Sequence, residues 1–120
     1  MSGVIPYLAV KDADAAIEFY ARAFGSELFD PPARDEAGQV LNATLIINGG
    51  ALMLMHVMPN MGGGEAVKAG EGLTLQIVTS EGQRWWDRAV AAGCVVTMPF
   101  EPQFWGDRYG RLLDPFGLHW

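Results

Sequence analysis

The chain has 120 residues, half of them hydrophobic, with 18% charged side chains and a net charge of −6. That length suits one domain with a real core and excludes a disordered chain. No basic stretch is present, which argues against nucleic acid as a partner, and the single Cys94 excludes an internal disulfide and fits a reducing compartment. The opening MSGVIPYLAV has neither a basic n-region nor a long apolar run. A cytoplasmic protein with no membrane span is therefore expected.

In chain order, VIPYLAV (4–10) reads as a strand and DADAAIEFYARAFG (12–25) as a helix. Asp12 suits the N-cap, Asp14 the positive end of the helix dipole and Gly25 the C-terminal stop. Ala13, Ile17, Tyr20 and Phe24 form an apolar face at helical spacing. A short strand near SELFD (26–30) precedes QVLNATLIIN (39–48) and ALMLMHV (51–57), which Gly49-Gly50 would join as a hairpin. The Gly-rich stretch 58–72 reads as a linker, with a lid over a site as the alternative.

The pattern then repeats. LTLQIVT (73–79) reads as a strand and SEGQRWWDRAVAAG (80–93) as a helix, with Ser80 and Gln83 at capping-box spacing and Gly93 at the stop. CVVTMP (94–99), RYGRLLD (108–114) and GLHW (117–120) complete the set, the last two joined by a tight turn at Asp114-Pro115-Phe116-Gly117. Two strand-helix-strand-strand-strand modules, 1–57 and 73–120, are expected to pack side by side in one domain.

Alternation along the strands separates apolar faces from mixed ones. Leu41, Leu45 and Ile47 share a face, as do Leu73, Leu75 and Ile77; these should pack on the helices. The opposite faces carry Asn42 and Thr44 in one module and Thr74 and Gln76 in the other. With a Gly49-Gly50 turn, Asn42 faces Val57 and Thr44 faces Met55, and Met53 and Tyr7 join the same face. An apolar surface with sparse amides and hydroxyls suits a small-molecule pocket. The alternatives are a sheet face with satisfied polar groups, or a dimer contact.

The layout, together with IPYLAVKDADAAIEFYARAFG, FWGDRYGRLLDPFG and the RAVAAG helix end, resembles the vicinal oxygen chelate superfamily of glyoxalases, ring-cleaving dioxygenases and fosfomycin- and bleomycin-resistance proteins. These motifs are most similar to its PhnB-like branch. The resemblance implies an α+β fold of two βαβββ modules whose curved mixed sheets enclose a central cavity, and it implies a homodimer. The glyoxalase-like enzymes hold a divalent metal through His, Gln or Glu at positions that match Ile5, Met53 and Thr74 here, with a fourth one residue past Trp120. None of the three is a strong donor, and the branch's frequent histidines fall at Asn42 and Gln76, which are amides. No metal and no cofactor is therefore expected. His56 should sit at the surface or against a helix; His119 has the parity to face the cavity, where a hydrogen-bonded structural role outweighs a metal role.

One of Trp85 and Trp86 should be core and the other partly exposed, and Asp107 and Arg108 should pair as a clamp. Trp105 either stacks on a planar ligand or seals the barrel end. No nucleophile-base constellation is visible, so no catalytic residue is assigned. The expectation is metal-independent binding of a small planar or apolar organic molecule, antibiotic sequestration being its concrete form, with Tyr7, Asn42, Thr44, Met53, Met55, Thr74, Gln76 and Trp105 as ligand-binding residues. The runner-up is a metal-dependent lyase, isomerase or dioxygenase of glyoxalase type; a dimer with no ligand is a third reading.

Overall fold

The computed structural model describes residues 3–57 and 72–120, so the expected linker lies almost wholly outside the described residues. The first module runs β1 (Tyr7–Val10), α1 (Ala13–Phe24), β2 (Glu27–Leu28), β3 (Ala33–Arg34), β4 (Val40–Ile47) and β5 (Gly50–His56). Its sheet has the order β1-β5-β4-β2, with β3 also on β4; β1 is parallel to β5 and the other pairs are antiparallel. The second module runs through α2 (Gly82–Ala92), β6 (Val95–Pro102) and β7 (Arg108–Leu113).

Two further segments complete the second sheet. Trp120 and Leu112 exchange backbone hydrogen bonds of 2.8 and 2.9 Å, and Thr74 bridges His119 in parallel, with Leu75 N–H donating to the His119 carbonyl. The order 74, 118–120, β7, β6 therefore repeats β1, β5, β4, β2, including the parallel pairing of first and last members. The fold is α+β, built of βαβββ-like modules with mixed, curved sheets, as expected.

The strand expected over 73–79 is reduced to the Thr74 bridge. The segment beside it pairs through only two or three residues, so a longer ladder has nothing to pair with on that side, and Val78 is 74% exposed. The hairpin turn sits one residue earlier than expected. Asn48 (φ 49°) and Gly49 (φ 80°) occupy its two corners, and Ile47 pairs with Gly50. Two positive φ values in succession define the turn whose twist suits a two-residue hairpin, and asparagine tolerates that region better than most side chains. Thr44 consequently pairs with Met53, not Met55. The slip moves partners by two residues, so every side chain keeps its face.

The α1 caps form as expected. Asp12 accepts from Ala15 N–H at 3.0 Å, and Gly25 takes φ 63°. The α2 cap differs: Glu81 is the N-cap without a side-chain bond, Thr79 Oγ1 accepts from Glu81 N–H, and Gln83 turns to Asp87 and Arg108. Thus Ser80 and Gln83 do not form a capping box.

The core lies between α1 and the first sheet. Ala13, Ala16, Phe19, Tyr20, Ala23 and Phe24 meet Leu8, Val10, Ala43, Leu45, Leu52 and Leu54. Two polar joints tie the modules together. Arg88 of α2 donates to the Arg22 and Ala21 carbonyls at 2.8 and 3.1 Å, placing a cation at the negative end of α1. Asp114, buried at the start of the last turn, accepts from Phe116 and Leu118 N–H on Oδ1, and from Tyr20 Oη–H and Trp120 Nε1–H on Oδ2. Four donors compensate a carboxylate removed from water. Burial, and then the adjacent Asp114, push the Tyr20 hydroxyl far above its ordinary range, so it remains a donor.

Candidate functional site

The principal cavity, about 830 Å³, lies in the second module. Its walls are the N-terminal half of α2, Thr74 and residues 76–81, and the sheet residues Phe100, Arg108, Tyr109, Gly110 and Leu112, with Phe24 and Trp120 contributed by the junction with the first module. Aromatic surface dominates. Trp86 stacks on Phe100 at 5.4 Å between ring centroids, and Trp105 meets Tyr109 edge-on at 6.0 Å. Both Trp85 and Trp86 are half-buried and both line the cavity, which corrects the expectation of one core and one exposed ring.

Glycine lets these rings lie where they do. A Cβ on Gly110 would stand 2.6 Å from Trp86 Cζ3 and 2.8 Å from the Phe100 Cα, and one on Gly82 would stand 2.6 Å from Phe100 Cζ. Arg108 does not form the expected clamp with Asp107. Its guanidinium lies over the Phe100 ring at 4.4 Å and donates to Gln83 Oε1 at 2.8 Å. A cation over an aromatic face, held by an amide, leaves a wall that is flat, apolar and edged with hydrogen-bonding groups.

Of the eight residues singled out in the sequence, Thr74, Gln76 and Trp105 line this cavity. The other five come together on the first sheet instead. Tyr7 Oη–H donates to the Leu41 carbonyl at 2.8 Å and accepts from Asn42 Nδ2–H at 3.4 Å, while Thr44 and Met53 are paired across β4 and β5 and Met55 follows two residues on. Asn42, Thr44, Met53 and Met55 are all partly exposed, opposite the buried Ala43, Leu45, Leu52 and Leu54. The alternation places them on the mixed face. The single cavity expected for all eight divides into a walled space in the second module and an open face on the first. Phe100 and Tyr109 were missed in the sequence, and Arg108 was read as a clamp with Asp107 in preference to ligand binding; the glycines beneath the aromatic rings were the available signal.

The metal implied by the resemblance does not fit these residues. Ile5 and Met53 offer no hard donor, and the Thr74 hydroxyl already accepts from the Arg111 guanidinium at 2.7 Å, so a fixed cation occupies that position. His119 Nδ1 is sealed from solvent with no hydrogen-bond partner. An imidazole that ligates a metal normally gives its other N–H to an acceptor, and this one has none. Among the described residues no three His, Cys, Asp or Glu side chains gather as a metal site. His56, the last residue of β5, is partly buried. Among the described residues no helix is long and apolar enough to cross a membrane.

The repeated βαβββ-like modules with mixed, curved sheets define a fold of the glyoxalase type. The chain belongs to the Glyoxalase/Bleomycin resistance protein/Dioxygenase superfamily, whose model matches residues 4–120. It is 40% identical to an uncharacterized protein of Mycobacterium tuberculosis over 120 residues, 96% of this chain and 69% of that one. It is 29% identical to protein YjdN of Escherichia coli, over 96% of this chain and 90% of the other. Among solved structures, TioX of Micromonospora sp. ML1 superposes with a TM-score of 0.75 at 27% identity, covering 99% and 92% of the two chains. A fosfomycin resistance protein, FosX of Listeria monocytogenes, in complex with Mn(II) and 1S,2S-dihydroxypropylphosphonic acid, shares the fold at a TM-score of 0.68 and 20% identity, covering 99% and 89%. The likeness spreads over several branches and singles out none.

Proposed function

We propose that this protein binds a small, planar, largely apolar organic molecule without a metal, in the aromatic cavity of its second module. The observation that carries the reading is the cavity of about 830 Å³ walled by Trp85, Trp86, Phe100, Trp105 and Tyr109. That volume suits a drug-sized molecule, and aromatic walls with a few amides and hydroxyls favour a flat one. Thr74, Gln76 and Trp105 contact the ligand there; Tyr7, Asn42, Thr44, Met53 and Met55 form a second adaptable surface on the first sheet. Sequestration of a toxic compound is the role that this chemistry serves without catalysis, and the fosfomycin resistance of FosX is a relative's use of the same fold. The chain acts as one domain of modules 1–57 and 73–120, of the PhnB-like branch, in the cytoplasm and as a homodimer; a monomeric mass by light scattering at micromolar concentration would refute the last.

The test is titration of EDTA-dialysed protein with 2-naphthol, followed by tryptophan fluorescence and thermal unfolding. Quenching and a concentration-dependent rise in Tm are expected, since a ligand that binds only the native state stabilises it. Gln76→Leu and Trp105→Ala should each weaken binding. Absence of quenching, or binding that requires added Mn(II), would defeat the reading.

A further inference from the structure

The aromatic cavity carries one cation that no carboxylate of the chain is paired with. Of the charged side chains on its wall, Arg84 lies 3.4 Å from Glu81 and pairs with it. Arg108 makes no ion pair among the described residues, neither with its exposed neighbour Asp107 nor with any other carboxylate. A guanidinium is always charged and presents a planar fork of N–H donors. Among the described residues one bond uses that fork, from Nη2 to Gln83 Oε1 at 2.8 Å. Gly110 beneath Trp86 and the buried Leu112 mark the side of β7 that faces α2, and Arg108 has their parity. The cation therefore lies between the sheet and the helix.

Arg108 is held in place without being neutralised. Gln83 and Asp87 stand four residues apart on α2, so their side chains are neighbours on one face. Gln83 Nε2–H donates to Asp87 Oδ1 at 2.8 Å, which turns the amide oxygen toward Arg108. A carboxylate at position 83 would cancel the charge; the amide is a neutral acceptor that aims the guanidinium and leaves the charge in place. Phe100 supports the guanidinium at 4.4 Å, and the same ring stacks with Trp86. Cation and aromatic wall are thus one continuous surface, so an anionic group on Arg108 would lay an attached flat ring against the aromatics.

We propose, on the strength of the aromatic-cavity reading above, that the ligand is a planar aromatic acid whose carboxylate is taken by the remaining N–H groups of Arg108. Gln83, oriented by Asp87, positions the guanidinium, and the aromatic wall takes the ring.

The experiment titrates the EDTA-dialysed full chain with 2-naphthoate and with its neutral analogue 2-naphthamide, by isothermal calorimetry at low ionic strength, with amide NMR shifts locating the site. Naphthoate should bind at least about fivefold tighter, as a charge-assisted contact to an exposed guanidinium allows. The shifts should centre on residues 83, 86 and 108. Arg108→Gln should bring the ratio below about twofold. Should that variant fail to fold, Gln83→Glu, which keeps the guanidinium and gives it a carboxylate of the chain's own, should remove the preference as well. If neither compound binds, the cavity reading fails and this inference with it. If both bind equally, the cavity stands and the acid is wrong. An undiminished preference in Arg108→Gln, or shifts centred on residues 111 and 119, would also overturn the proposal.

Discussion

Gly110 sits on β7 under the ring of Trp86, and replacing it tests how the cavity wall is built. A Cβ at this position would be 2.6 and 2.8 Å from Trp86 Cζ3 and Cη2, and 2.8 Å from the Phe100 Cα on the neighbouring strand. The ring can shift, whereas the Phe100 backbone lies within β6 between the paired residues Met98 and Glu101 and is less free to move. Overpacking of this kind costs about 1–3 kcal/mol. Loss of glycine's unfolded-state freedom offsets about 0.4–1 kcal/mol of it. A net loss of about 1–2 kcal/mol is expected for Gly110→Ala. At about 2.1 cal/mol/K of unfolding entropy per residue, a chain of 120 residues loses roughly 4 °C of Tm per kcal/mol. Calorimetry should therefore show a fall of about 4–8 °C. Trp86, displaced from its place on Phe100, should also narrow the cavity and weaken 2-naphthol binding. In a Trp86→Ala background the same substitution should still lower Tm, but by less, because the collision with the Phe100 backbone remains while the ring collision is gone. An equal fall in both backgrounds, or a rise in Tm, would refute the steric argument.

Two further outcomes follow from the buried groups. Asp114→Asn replaces one acceptor oxygen by an amide NH2 that faces two of the four donors and removes the charge from the other two bonds; urea unfolding should show a loss of about 2–4 kcal/mol, and a change under about 1 kcal/mol would remove Asp114 as the joint between modules. Cys94 is held up to about 12 from an ordinary 9.0, by burial first and then by Asp114. Its folded pKa is raised, so the unfolded chain releases the thiol proton first. Stability should be unaffected below the ordinary thiol value, then fall as pH rises from about 9 toward 12, with the Tyr20 hydroxyl adding to the slope from its ordinary 10.0 upward. In Cys94→Ala the first part of that fall, measured by urea unfolding at a series of pH values, should disappear; an unchanged profile would show that the thiol does not contribute.

Most of the architecture could be read along the chain because it rests on local chemistry. Asp12 and Gly25 bound α1 for reasons internal to one turn of helix, and the alternation through Asn42, Ala43, Thr44 and Leu45 fixes faces whatever the register. This is why a turn misplaced by one residue at Asn48-Gly49 left the mixed face intact. Where a reading depended on a neighbour, it was less secure. Residues 73–79 have a strand's pattern, but a strand needs a partner of equal length, and 118–120 is short. Ser80 and Gln83 have a capping box's spacing, yet Arg108, 25 residues further on, draws Gln83 away. The cavity was hardest to read, because it depends on how far α2 stands from its sheet, and no alternation of residues encodes a distance.

That distance is where the two modules part company. They share one strand order, but their helices are not used alike. In α1, six residues are fully buried, and small Ala13, Ala16 and Ala23 let the helix settle onto the sheet between larger Phe19, Tyr20 and Phe24. In α2, only Ala89 is buried, and the positions that could close the gap carry the wide, flat rings of Trp85 and Trp86 at the N-terminal half. A tryptophan fills more volume than an alanine but cannot interdigitate with a neighbouring tryptophan as alternating large and small side chains do. The C-terminal half of α2 is drawn in by Ala89 and by Arg88 on the end of α1, while the N-terminal half rests on Phe100 through Trp86. The helix is thus pinned at one end and propped at the other, and the space beneath the prop is the cavity. Duplication supplied two equivalent modules; alanine in one helix closed the first, and tryptophan in the other held the second open.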